Sequence, residues 1–156
     1  MGLIYFQPSR GSEPPEVIHY TPTSAATLTL GEPVQRNVTD TEQIEAHAGG
    51  ATVTGILGTA MGTVTSGTCP YGTKVAVAIA NRKTLWLGQV YDSGGGAVQT
   101  TTAALHEGVE YGMVEVSGRW YVDEDDVTNV VLRVVKVLPQ INAVLFRWIG
   151  SAIEGA

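Results

Sequence analysis

Residues 111–122 read YGMVEVSGRWYV, and this stretch limits the possible folds more than any other. Two runs of β-branched and aromatic residues flank Ser117-Gly118. A two-residue link of this kind closes a β-hairpin, because glycine takes a positive φ at little cost. Asp123-Glu124-Asp125-Asp126 then ends the second strand.

Further strands are predicted on both sides of this hairpin. Lys74 to Ala80 sets Val75, Val77 and Ile79 on one face and Ala76, Ala78 and Ala80 on the other. Neither face is polar, so both suit burial, as in a central strand. Leu85 to Tyr91 ends at Ser93-Gly94-Gly95-Gly96. Val130 to Leu138 stops at Pro139, and Ala143 to Ile149 is the last strand. Thr27 to Leu30 alternates before a turn at Gly31-Glu32-Pro33-Val34, and Thr52 to Leu57 follows Gly49-Gly50. Helical periodicity is confined to one turn between Thr100 and Glu107. Strands at short spacing with 19 glycines predict an all-β chain, a compact β-barrel or β-sandwich over residues 26–156.

Residues 1–25 have a different texture. Pro8, Pro14, Pro15 and Pro22 remove backbone donors and interrupt regular elements. Two short apolar pieces, Ile4 to Phe6 and Val17 to Tyr20, lie between them. The reading is an extended N-terminal arm with two strand-like segments, whose apolar side chains a solvated tail would not favour.

Composition narrows the function classes. The chain has 156 residues, nine basic against fifteen acidic, and a net charge of -6. A dedicated nucleic-acid binder needs a basic patch, so no nucleic-acid partner is expected. Only 15% of residues are charged, where about 25% is usual, so much of the surface is neutral. No apolar run reaches the length of a membrane-spanning helix, and the first residues lack a signal-peptide pattern, so no membrane partner is expected. The single cysteine, Cys69, excludes an internal disulfide framework and a multi-cysteine zinc site.

No segment carries a catalytic signature. Gly67-Thr68-Cys69-Pro70-Tyr71-Gly72-Thr73-Lys74 approaches a phosphate-binding loop, but the order is Thr then Lys and a strand follows instead of a helix. Asp123 to Asp126 lacks calcium-loop spacing and reads as a solvated turn. His19, His47 and His106 show no metal-ligand spacing. A Cys69–His106 nucleophilic pair would need a spatial adjacency that spacing does not supply. Trp86, Trp120, Trp148 and the six tyrosines read as core or subunit interface before sugar platform, with Trp120 and Trp148 beside Arg119 and Arg147. The expectation is no enzyme, no cofactor and no metal.

Five pieces together resemble the capsid decoration, or cement, proteins of tailed bacteriophages. They are Gly31-Glu32-Pro33-Val34, GATVTGILG at 50–58, Lys74-Val75-Ala76-Val77-Ala78, Tyr111-Gly112-Met113 and Trp120-Tyr121-Val122-Asp123. Tyr5-Phe6-Gln7-Pro8 also looks like the aromatic-Gln-Pro opening of some of these proteins. The likeness covers most of residues 28–149 and is a pattern of turns and strands. It implies a structural virion protein, made in the bacterial cytoplasm, that binds the outside of the capsid. Such a protein bridges major capsid protein subunits, often as a homotrimer. On this reading Ile4, Tyr5, Phe6, Gln7, Pro8, Arg10, Val17, Ile18 and Tyr20 form a capsid-binding arm that adds a strand to a neighbouring sheet. Trp120, Trp148, Arg119 and Arg147 lie at a subunit interface. A tail or baseplate β-barrel component, and a small-ligand or carbohydrate-binding β-domain, are the alternatives.

Overall fold

The computed structural model describes residues 7–8, 13–48, 54–69, 72–98 and 105–154. Twelve strands follow one another: β1 (Gln7–Pro8), β2 (Val17–Pro22), β3 (Pro33–Arg36), β4 (Gln43–Ala46), β5 (Gly58–Ala60), β6 (Val75–Ile79), β7 (Trp86–Asp92), β8 (Ala97–Val98), β9 (Glu110–Val116), β10 (Arg119–Asp123), β11 (Leu132–Leu138) and β12 (Ala143–Trp148). Two 3-10 turns, Pro139–Ile141 and Gly150–Ala152, are the only helical pieces among the described residues. None is long and apolar enough to cross a membrane. The all-β expectation holds.

The strands form two rings. In the first, β2-β4-β3-β5-β6 is a closed barrel. In the second sheet, β7-β10-β9-β11-β12 run side by side, and the β12–β7 pairing closes them. The β1 and β8 strands are short additions to β7. Both rings have the same order: first strand, third, second, fourth, fifth. In both, the first and third strands pair in parallel and the other four pairings are antiparallel.

Register matches as well as order. Val34↔Gly58 and Pro33↔Thr59 in the first ring correspond to Tyr111↔Leu132 and Glu110↔Arg133 in the second. Gly58↔Ile79, Thr59↔Ala78 and Ala60↔Val77 correspond to Leu132↔Trp148, Arg133↔Arg147 and Val134↔Phe146. Ile18↔Val77 corresponds to Trp86↔Phe146, and Pro22↔Ile44 to Val90↔Val122. The chain is an internal structural repeat of one five-stranded barrel.

Each barrel has its own core. Leu28, Val34, Ile44, Leu57, Val64, Val75 and Val77 fill the first. Trp86, Val90, Tyr111, Val122, Leu132, Phe146 and Trp148 fill the second. There Trp148 meets Trp86 and Phe146 edge-on, at centroid distances of 6.1 and 5.2 Å. Larger side chains in the second barrel stand at positions where the first carries Ile18, Val77 and Ile79. Alternation is what selects these faces: period-2 spacing sends successive residues in and out.

The barrels pack against each other. Ile56, Ala78 and Ala80, all on the outside of the first barrel, belong to the apolar cluster of the second. This is why β6 is apolar on both faces. Ile56 pairs with Ile153 just beyond β12, and the Ile56 N–H donates to the Ala152 carbonyl at 2.9 Å. Arg36 Nε donates to Glu154 Oε1 at 2.5 Å, and Trp120 Nε1 reaches Glu32 Oε1 at 3.4 Å.

Three sequence expectations are corrected. An arm over residues 1–25 does not describe Val17–Pro22, which is the barrel strand β2, paired with β6 and β4. Pro14 and Pro15 precede this strand, and its alternation supplies the fifth member the ring needs to close. A single barrel over 26–156 gives way to two, and the first of them begins inside the expected arm. The expected helical turn near Thr100–Glu107 is absent over its described part, Leu105 to Glu107.

Candidate functional site

The expected arm residues divide three ways. Ile4, Tyr5, Phe6 and Arg10 lie outside the described residues. Gln7 and Pro8 form β1, antiparallel to Leu87 and Trp86 of β7, so this segment pairs with its own chain. Val17, Ile18 and Tyr20 are in β2. Tyr20 lies under the Arg36 guanidinium, whose carbon is 5.2 Å from the ring centroid, and Val17 is exposed. These three are therefore not arm anchors.

The expected interface set also separates. Trp120 and Trp148 are buried in the second barrel, 3% and 1% exposed, and Trp86 is fully buried. Core is therefore the role of all three tryptophans, and none of them is left as a platform for a sugar ring. Arg119, at the start of β10, and Arg147, on the outer face of β12, are exposed.

Arg147 has company that residue spacing did not reveal. Glu110, Arg133 and Arg147 are direct cross-strand neighbours, one row over β9, β11 and β12. Arg82, in the link between the barrels, joins them along a cleft of about 440 Å³ that Trp148, Gly150 and Ser151 also line. A Cβ at Gly150 would run into the Arg82 guanidinium, so the absent side chain is what makes room for it. Arg133 is neutralised by Glu110, with Nη2 to Oε1 at 2.6 Å and Nε to the same oxygen at 3.2 Å. Arg82 and Arg147 make no ion pair among the described residues. Guanidinium groups in this setting present forked donors to an oxyanion. Pairing across strands brings these residues together from distant positions. The one local sign was that arginine is scarce in an acidic chain.

The other motifs fall into place. Around Gly67-Lys74, Thr65 bridges Thr68 and Cys69 bridges Gly72, and β6 follows, as the order of residues implied. Cys69 lines a cleft of about 420 Å³ on the first barrel with His19, Leu30, Met61 and Lys74, whereas His106 stands next to the second barrel's β9. The acidic run is a turn held by its own carboxylates. Asp126 Oδ1 accepts from the N–H groups of Thr128 and Asn129, and Asp125 Oδ2 accepts from Gly94 N–H at 2.8 Å. The Gly94 bond is the main cause holding the Asp125 carboxyl below its usual range. Asp92, Glu124 and Asp125 bring carboxylate oxygens within 4.8 Å of one another. Three such donors are fewer than the six to eight a calcium ion takes. His47 is buried at the far end of β4, its Nε2 3.1 Å from the Thr54 carbonyl oxygen, and burial pushes its pKa down.

No protein-family model matches this sequence, and a search of curated proteins finds no match.

Proposed function

We propose that this protein is a structural component of a phage virion that binds the outer surface of the capsid shell and bridges major capsid protein subunits, acting as a homotrimer. The observation that carries the reading is the body itself: the described parts of the pieces that resemble decoration proteins belong to two closed barrels packed wall to wall. A cement protein coats a shell in many copies at high local concentration. Ring closure suits that, because it leaves few free strand edges for unwanted pairing. Burial of Trp86, Trp120 and Trp148 takes the tryptophans out of the aromatic set that favoured a carbohydrate-binding domain. On this reading the barrel surfaces make the contact with the shell, and β2 is scaffold.

Co-sedimentation tests the reading. Purified protein is mixed with DNA-filled shells of the parent phage that lack it. Saturable attachment in multiples of three supports the proposal, as does a trimer by sedimentation equilibrium. Attachment to isolated tails but not to shells would place the protein in the tail instead.

A further inference from the structure

The repeat shows what one wall of this barrel does. In the first barrel, Pro33, Thr59 and Ala78 form a cross-strand row, and all three are buried. Ala78 is buried because this side docks on the second barrel. The register-equivalent row in the second barrel is Glu110, Arg133 and Arg147. There the same wall is open, and it is charged.

Charge on that wall is costly without a counterpart. Arg133 and Arg147 are directly opposed, and like charges in that position destabilise a sheet. Glu110 offsets one guanidinium only. Arg82, seated over Gly150, adds a third on the same cleft. Among the described residues these four charged groups thus leave two guanidiniums without a carboxylate, in a chain whose net charge is -6.

We infer that the Arg82–Arg133–Arg147 wall of the second barrel is a docking site for a carboxylate-bearing segment of a partner protein. The chain already uses this chemistry twice. Arg133 holds Glu110 at the cleft, and Arg36 holds Glu154 where the barrels meet. A partner's aspartate or glutamate side chains would complete the forks of Arg82 and Arg147 as Glu110 completes that of Arg133. A nucleic acid is a poor occupant, because the chain's net negative charge repels a polyanion at long range.

The test titrates the full-length protein with a hexaglutamate peptide and, separately, with inorganic phosphate, following the arginine Nε–Hε signals by NMR. Saturable shifts of Arg82 and Arg147 with the peptide, weakening as salt rises, are expected. The double variant Arg82→Gln/Arg147→Gln should bind about tenfold more weakly or worse. Arg147→Lys should fall between, since it keeps the charge and loses the fork. These side chains are exposed and Arg147 opposes Arg133, so the glutamine variants should unfold at or slightly above the parent's midpoint and never below it. The inference is overturned by unchanged peptide binding in the double variant, by no arginine shift at millimolar peptide, or by phosphate binding more tightly than the peptide. No capsid is used, so a failure here leaves the shell-binding proposal standing, and the reverse also holds.

Discussion

Gly31 and Gly108 occupy one and the same position in the two barrels. Their φ angles are 82° and 84°, and each donates its N–H at 2.7 Å to the carbonyl of the third residue of its barrel's fourth strand, Ala60 or Val134. Leu28 and Leu105, three residues earlier, are both buried. The turn before the second strand of each ring is thus built alike. An L-residue in this left-handed region costs about 1–2 kcal/mol. Gly108→Ala meets no steric obstacle, since nothing lies within 4 Å of the added Cβ, so the backbone term stands alone. The expected loss is about 1–2 kcal/mol, or about 2–8 °C in melting temperature by calorimetry, and Gly31→Ala, at a buried position, should lose at least as much. A neutral result at both positions would refute the shared turn.

Trp148 and Arg147 are neighbours with opposite duties. The indole is in the second barrel's core against Phe146 and Trp86, while the guanidinium lies outside. Trp148→Ala should cost about 3–5 kcal/mol in a urea titration, the range for emptying a large aromatic site. Arg147→Ala should stay within about 0.5 kcal/mol. Equal effects would mean that the two share one interface after all.

What the sequence reveals depends on how local each signal is. The Ser117-Gly118 hairpin is self-contained, and both residues take positive φ, at 54° and 77°, as a two-residue link of this type requires. The β6, β7, β11 and β12 strands carry their own alternation and stand where it put them. Pro33–Arg36 and Gln43–Ala46 are four residues each, too short and too polar to show a period, and they pair with each other and with β5 and β2. Val17–Tyr20 does alternate, but the prolines around it pointed to an arm; ring closure with β6, a partner far along the chain, decides its place. The repeat is not legible in the sequence because it is written in register more than in residues. Beyond Leu-x-x-Gly at 28–31 and 105–108 and the valine pair Val75 and Val144, most equivalent core positions hold different side chains. The cationic row was hidden for the same reason, since Glu110, Arg133 and Arg147 are adjacent only across strands.

His47 should make the fold sensitive to mild acid. Burial disfavours its charged form and outweighs the opposing pull of the Thr54 carbonyl, so its folded pKa lies below the ordinary 6.5. Over the interval between the folded and ordinary values the unfolded chain binds the proton and the folded one does not. Stability is therefore full above the ordinary histidine value and declines as pH falls through this interval. Urea midpoints measured from pH 8 down to pH 5 should drop, and His47→Gln should remove that part of the drop. An identical slope in the variant would show that His47 does not titrate with unfolding.

Glu32 should act in the opposite sense where the barrels meet. Its carboxylate accepts from Thr29 N–H at 2.8 Å and faces Trp120 Nε1 across the interface. Desolvation raises its pKa above the ordinary 4.5 in spite of both hydrogen bonds. Here the folded state holds the proton to higher pH than the unfolded chain does. Its contribution to stability is complete below the ordinary carboxylate value and is lost as pH rises through the folded one. Glu32→Gln exchanges one acceptor oxygen for a donor, so its absolute stability is a poor measure and its slope against pH is the right one. Between pH 4 and pH 7 the variant's urea midpoint should rise relative to the parent's, because only the parent must lose a proton from this site. A constant difference across that range would mean that the Glu32 carboxyl is as free to ionise in the folded protein as in water.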